Sequence, residues 1–343
     1  MDNMKTAVVV LNWNGRHLLE RFLPDLVRYT PQEVEIIVAD NASTDDSLPF
    51  LASYYPDMRV VRLSENYGYA GGYNRALKEV EADLYVLLNS DIAVTENWLD
   101  PCIRKLQKSP EMAACQPKIR SLEKPGHFEY AGASGGFLDY LGFPFCRGRI
   151  FDYVEKDTGQ YDDETDVFWA SGAALFIKSA VFHEVGGFEE SFFAHMEEID
   201  LCWRLQNEDY RIGVCPGSVV YHLGGASLPA SSPRKTFLNF RNSLWMLARN
   251  LPARKFYPWL LMRFMLDEAA LVRFLLQGRF GSFFAVIRAQ LAMWIKLPEL
   301  RRQSRGIRSL PAPLYRKSIV AEFYLRGKKR FSDLLFSASS AKR

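Results

Sequence analysis

With 343 residues, 48 % of them hydrophobic and 24 % charged, the chain has the make-up of an ordinary globular protein with room for one large domain or two modest ones, which excludes a disordered or fibrous protein. Its formal net charge of +3 conceals a split: residues 249–330 hold 18 Lys and Arg against four acids, whereas residues 1–248 hold 23 against 35. The two regions therefore suit different partners, the basic one an anionic lipid surface or nucleic acid. The five cysteines, odd in number and without a C-x-x-C pair, argue against a disulfide framework or a zinc knuckle and for a reducing cytosol.

The opening "MDNMKTAVVVLNWNG" has too short an apolar run for a signal peptide and predicts a strand that starts the fold; no export is expected. Through residue 120 short β-rich runs alternate with helical patterns: "TAVVVLN", "HLLERFLPDLVRY", "EVEIIVAD", "DSLPFLASYY", "MRVVRL", "GGYNRALKEVEA" and "LYVLLN". That alternation predicts an α/β fold with a mostly parallel central sheet covered by helices on both faces. Ligands of such sheets bind outside the carboxyl ends of the strands, and the polar clusters at 12–15, 40–47 and 89–91 all fall there. Next, Thr95 is expected to cap a helix in "ENWLDPCIRKLQ". Residues 121–165, rich in Gly, aromatic and acidic residues, predict irregular or hairpin structure over the site, with a disordered loop as the alternative. Order resumes with "VFWASGAALFIK", a helix "SAVFHEV", the turn "GGF", a helix over 197–207 and a strand "GSVVYHL".

From residue 233 the pattern is helical. Phe280, Phe283, Phe284, Ile287, Leu291 and Trp294 fall on one stripe. Residues 256–276 are apolar but carry Arg263, Asp267, Glu268 and Arg273, which would cost on the order of 10 kcal/mol at mid-bilayer. A helix lying in the headgroup plane fits better, and a helical subdomain packed on the core is the competing reading. The chain divides accordingly into residues 1–230, in two parts of about 1–120 and 121–230 that the resemblance given below assigns to nucleotide and acceptor, and a basic helical region, 231–343, with membrane contact as the other reading.

Asp91 ends a greasy strand where Thr95 already supplies the cap, so its carboxylate is free to hold a hard divalent cation beside a diphosphate. Asp40 could accept from a nucleobase or ribose, or merely close an Asx-turn. In "NYGYAGGYNRA" three glycines lead into a helix, letting backbone amides approach a phosphate, although the spacing is that of neither a Walker loop nor a dinucleotide fingerprint. Glu197, Glu198 and Asp200 crowd one helix start. The macrodipole favours acids there, but three within four residues repel one another. Arg204 can neutralise one, and a carboxylate left alone with a raised pKa would make a general base. His222 ends the last strand on the same edge.

Together "VVVLNWNG", "VADNASTDDS", "NYGYAGGYN", "LLNSDI", "WASGAALFIK", "GGFEESFFAHMEEIDLCWR", "VVYHLGGAS" and "FLNFRN" resemble family 2 glycosyltransferases of the GT-A fold, the bacterial rhamnosyltransferase-like branch in particular. The resemblance implies inverting transfer of a sugar from a dTDP- or UDP-linked donor, such as dTDP-rhamnose, to a hydroxyl of a saccharide or lipid-linked saccharide in cell-surface polysaccharide synthesis, with Mg²⁺ or Mn²⁺. It places nucleotide contacts at Asn12, Asn14, Asp40, Asn41, Asn66, Gly68, Asn74 and Asn89, the last standing where the family's D-x-D motif has its first aspartate. It assigns the metal to Asp91 and His222, base catalysis to Glu198 beside Glu197, and sugar contacts to Ser171, Gly172, Ala173 and Asp200. Partners implied are the donor, the acceptor and an anionic membrane met through residues 250–330 at its inner face, with no nucleic acid. A nucleotidyltransferase is disfavoured because "NWNGRH" offers only Arg16 to a triphosphate; a non-catalytic membrane adaptor is the other alternative.

Overall fold

A computed structural model describes residues 4–224, 232–304, 307 and 309–336. Strand β1 (Thr6–Asn12) leads through helix α1 (Arg16–Tyr29) to β2 (Glu35–Asp40), and α2 (Ser47–Tyr54) leads to β3 (Arg59–Arg62). Helix α3 (Gly68–Ala76) then precedes β4 (Leu84–Asn89) and the short β5 (Ile92–Val94). Successive residues of β1 are buried on opposite sides of the sheet, Ala7 and Val9 in one core cluster and Val8 and Val10 in the other. That is what a strand covered on both faces requires. The sheet continues with α4 (Asp100–Lys108), β6 (Met112–Ser121) and, after an inserted segment, β11 (Thr165–Asp166) and β12 (Ala174–Lys178). Helices α5 (Ser179–Glu184) and α6 (Glu197–Asn207) and the long β13 (Arg211–His222) complete it, in the order β11-β13-β6-β12-β4-β1-β2-β3 with β5 on β13.

The parallel expectation holds for β3-β2-β1-β4 and again for β6 with β13. Between them β12 runs antiparallel to both β4 and β6, so the sheet is mixed. The last strand begins at Arg211, six residues before the predicted start. Thr95 caps nothing: Asn97 has φ 58°, Trp98 is fully buried, and α4 begins only at Asp100. The Thr95 hydroxyl instead donates to the Val219 carbonyl at 2.7 Å, tying the chain to β13.

Residues 121–165 are ordered, which decides for the hairpin alternative. Strands β7 (Gly136–Leu138), β8 (Pro144–Cys146), β9 (Arg149–Ile150) and β10 (Tyr153–Val154) form a second antiparallel sheet. It is pinned to β6 by buried Lys118, which bonds Asp157 and Asp162, and by Arg120, which bonds Asp157. The C-terminal segment returns over this sheet. Ile319, the first residue of α10 (Ile319–Tyr324), donates to buried Asp139 at 2.9 Å, and Phe331 and Phe336 stack on Phe137.

The boundary expected at 230/231 lies outside the described residues. Beyond it, α7 (Pro233–Asn250), α8 (Ala253–Leu276) and α9 (Phe280–Gln303) pack on the core, as the subdomain reading expects. The stripe predicted on α9 faces outward: its inner face carries Ser282, Ala285, Val286, Ala289 and Met293, whose small members let α7 and α9 approach closely, and Phe280, Phe284, Leu291 and Trp294 are more than half exposed. On α8, Tyr257, Leu261 and Met265 are exposed likewise. Two of the charges held to bar 256–276 from a bilayer, Arg263 and Asp267, pair with each other at 2.8 Å on the buried side. By length and composition α9 could cross a membrane.

Candidate active site

Register brings the polar strand ends together. Asn12 lies opposite Asp40 in the β1–β2 pair and Leu11 opposite Asn89 in β1–β4. Asp40 accepts from Asn12 Nδ2 at 3.2 Å and from the Ser43 amide, three residues on, at 3.0 Å, a local contact one residue longer than the Asx-turn of its other reading. Asn14, at φ 52°, accepts from the Thr44 amide at 2.7 Å. Between these two asparagines Trp13 projects 52 % exposed, a flat apolar ring at the strand edge that sequence reading passed over.

Asn41, Asn66 and Gly68 form one network. Asn41 Nδ2 donates to Asn66 Oδ1 and to the Gly68 carbonyl, while Asn66 Oδ1 accepts the Gly68 amide at 2.9 Å. Gly68 needs to be glycine: its φ is +71°, and a Cβ there would lie 2.5 Å from the Phe193 carbonyl oxygen. Asn74, expected at the nucleotide, is occupied elsewhere. Both ends of its amide pair with the backbone of Phe188, at 2.8 and 2.9 Å, latching the GGF turn to α3.

Asp91 and His222 meet because β5 runs antiparallel to β13 with Ile92 opposite His222. His222 Nε2 lies 3.1 Å from Asp91 Oδ1, and Nδ1 lies 3.3 Å from Glu129 Oε2 without hydrogen-bond geometry. Burial alone would lower the imidazole pKa, but the two carboxylates outweigh it and raise it to about 10. Glu129 was not foreseen. It stands in the irregular run "HFEYAGAS", held to the edge of β6 by its amide bond to the Ile119 carbonyl, and no periodicity marks it. The donor set suits a divalent cation: Asp91 and Nε2 share one side of the ring, and Glu129 behind Nδ1 is placed to orient it, as carboxylates do for metal-bound imidazoles. A proton now balances those buried carboxylates; a cation could replace it.

Ser171, Gly172 and Ala173 lie at the same edge, and their groups are turned to the protein rather than outward. The Ser171 hydroxyl donates to the Ala131 carbonyl, its amide to Gln116, and the Ala173 carbonyl accepts the Asn89 amide at 3.0 Å. The Gly172 carbonyl accepts from the Tyr69 hydroxyl at 2.6 Å. Burial, with Tyr73, Glu197 and Glu198 near it, pushes the Tyr69 hydroxyl pKa well up.

Both glutamates are raised, but by burial more than by the crowding of like charges that the sequence suggested. Burial, with Glu198 beside it, pushes Glu197 well above the carboxylate range, and burial raises Glu198 to about 7. One carboxylate oxygen of each has no hydrogen-bond partner. The loop before them is strained, with Phe193, His195 and Met196 all at φ between 66° and 72°; such backbone persists where surrounding contacts impose it, here Asn242 of α7, which donates to the carbonyls of Phe192, Ala194 and His195. Asp200, expected to touch sugar, does not reach the site. Fully buried, it accepts from Arg204 Nε at 2.9 Å, Arg249 Nη1 at 3.0 Å and Asn250 Nδ2 at 2.8 Å, clamping α6 to α7.

A parallel half-sheet, a reversed strand β12, an Asp–His pair at the sheet edge and a glutamate-bearing helix start belong to a fold of the GT-A glycosyltransferase type. Solved structures share the fold: S. aureus TarS 1–349 in complex with UDP-GlcNAc superposes with a TM-score of 0.54 at 15 % identity, covering 88 % of this chain and 92 % of that one. GalNAc-T7 with UDP, GalNAc and Mn²⁺ gives 0.56 at 15 % identity over 72 % of this chain, which spans only 48 % of its length. The chain belongs to glycosyl transferase family 2, whose model matches residues 7–181. It is also similar to the N-acetylglucosaminyl-diphospho-decaprenol L-rhamnosyltransferase of Mycobacterium tuberculosis (strain CDC 1551 / Oshkosh), 28 % identical over 240 residues, 65 % of this chain and 76 % of that relative.

Proposed function

We propose that the chain moves a hexose, rhamnose foremost, from a dTDP- or UDP-linked donor to a hydroxyl of a lipid-linked saccharide, with inversion, in cell-surface polysaccharide synthesis. The observation that carries this reading is Glu198 at the start of α6, a carboxylate without a partner on one oxygen and raised by burial to about 7. In its ionised form Glu198 takes the acceptor hydroxyl proton as that oxygen attacks the anomeric carbon. Burial holds the Glu197 carboxyl well above the carboxylate range, which leaves Glu198 as the base. Asp40, Asn12 and Asn14 shape the nucleoside end, with Trp13 offering a stacking surface; the first amides of α3, bonded to Asn66 and to the Phe193 carbonyl, are not free for the diphosphate. Asp91 and His222 would hold Mg²⁺ or Mn²⁺, which would neutralise charge on a departing nucleoside diphosphate. The lipid-linked acceptor follows the activity named for the mycobacterial relative. The exposed apolar residues of α8 and α9 among basic ones support peripheral contact with the inner membrane face.

The test is a panel of UDP-, dTDP- and GDP-sugars with Mn²⁺, scored by thermal shift and by transfer to lipid-linked and soluble saccharides. A donor present at 100 times its Kd should add about 2.7 kcal/mol of stability. Absence of both a donor-dependent shift and transfer across the panel would remove the proposal.

A further inference from the structure

A cavity lies beside the strained loop, with Phe193 in its wall. It is a cleft of about 560 Å³ between α7 and α9, lined among others by Phe193, Arg234, Phe237, Arg241, Phe284 and Arg288. Each of its three guanidiniums is stacked on an aromatic ring: Arg234 on Phe193 at 5.0 Å, and Arg241 and Arg288 on Phe237 at 5.1 and 5.2 Å. Two cations against one ring repel each other, and among the described residues none of the three forms an ion pair with a carboxylate. Arg241 is partly withdrawn from water and Arg234 and Arg288 are exposed; an anion would offset the charge the three share, and guanidinium forks match phosphate oxygens in pairs.

The neighbours of the cleft say which anion. One wall, Phe193, presses on Gly68, and its carbonyl accepts the Tyr69 amide at 2.7 Å. Arg241 also donates to the carbonyls of Ser191 and Phe192, at 2.9 and 3.0 Å. The charged end therefore abuts the loop that delivers Glu197 and Glu198. Phe284, 59 % exposed and one turn before Arg288, shares the outward apolar surface of α9 with Leu291 and Trp294, and Trp294 meets Phe264 of α8 at 5.8 Å. Charge beside the loop that leads to Glu198, with apolar surface adjoining it, matches the groups of an isoprenyl diphosphate carrying a sugar. Resting on the acceptor class of the proposed function, we infer that the Arg234–Arg241–Arg288 cleft binds the diphosphate of the lipid acceptor, with its first isoprene units laid along α9.

The test uses the full chain with Arg234 and Arg288 replaced, since both are exposed and neither holds the fold. Farnesyl diphosphate is the probe, with farnesol, inorganic diphosphate and UDP or dTDP as comparison ligands. Farnesyl diphosphate should bind the unsubstituted protein more tightly than farnesol or inorganic diphosphate. The double variant Arg234→Gln/Arg288→Gln should weaken it at least tenfold while leaving the nucleotide Kd within twofold, and Arg234→Lys/Arg288→Lys should restore part of the loss. An unchanged farnesyl diphosphate Kd overturns the inference; so does a parallel loss of nucleotide affinity, which would give the arginines to the donor. If soluble saccharides accept sugar with equal KM in both proteins and farnesyl diphosphate does not compete, the cleft assignment fails and the transferase reading survives. If farnesyl diphosphate binds as stated and no donor yields transfer, the reverse holds.

Discussion

As the proposed base, Glu198 has to give up its proton, and burial holds that proton on. The rate of transfer should therefore climb with pH through about 7, the value to which its pKa is raised, and level off above it. Stability runs the other way. A carboxyl whose folded pKa lies above its unfolded value of about 4.3 adds stability that is complete below that value and disappears as pH rises through about 7. Glu198→Gln should then cost a factor of about 10²–10⁴ in kcat and raise Tm at pH 8 by a few degrees; a variant that kept its rate would take the base role from this residue. Asp91→Ala should abolish the extra thermal shift that Mn²⁺ gives in the presence of nucleotide, measured by calorimetry with and without chelator; an unaltered Mn²⁺ response would place the cation elsewhere. At this scale the sequence named both acids of the helix start, because crowded like charges are visible in a string of letters. It could not name Glu129, which has neither motif nor period, nor see that Asp200, two residues from Glu198, points into the α6–α7 contact.

Between elements, the clamp on Asp200 is the main test of that correction. Removing the carboxylate leaves Arg204 and Arg249 facing a buried gap, so Asp200→Ala should destabilise the fold by about 3–5 kcal/mol, as broken buried pairs do, with donor affinity of the folded protein unaltered. Urea unfolding with nucleotide titration separates the two; a stable variant with lost sugar binding would return Asp200 to the site. The helices of the C-terminal region show how far periodicity reaches. The stripe on α9 was legible as a stripe, but its direction was not: small residues at Ser282, Ala285 and Ala289 make the tighter contact with α7, because two helices approach most closely where side chains are short, and the bulky stripe is left outside. Thr95 failed as a cap for a related reason. Its hydroxyl had a β13 carbonyl within reach, a partner far away in sequence.

Over the whole molecule, the polarity of charge found in the composition becomes a polarity in space. The acidic half builds the sheet edge with Asp40, Asp91 and the glutamates, and the basic half supplies helices whose outer faces are apolar. Leu261→Glu with Met265→Glu should reduce sedimentation with anionic liposomes severalfold without changing Tm much, since both side chains are exposed; equal binding would shift the contact to the basic residues alone or remove it. The same arrangement sets three buried thiols, Cys102, Cys115 and Cys215, within 4.8 Å of one another, although their positions in the chain suggest no cluster.

What the sequence determined by itself was the string of elements through residue 120, the edge at which polar residues gather, and the family, because alternation of buried strands and helices and short motifs after strand ends are local facts. Only the tertiary structure decided that β12 runs backwards between β4 and β6, that residues 121–165 fold into a second sheet bearing Glu129, that His222 faces Asp91 across β5, and that three arginines from two helices share a cleft. Each of these is a pairing between residues distant in the chain, settled by register and by which faces pack most closely, and neither is written in any single stretch of sequence.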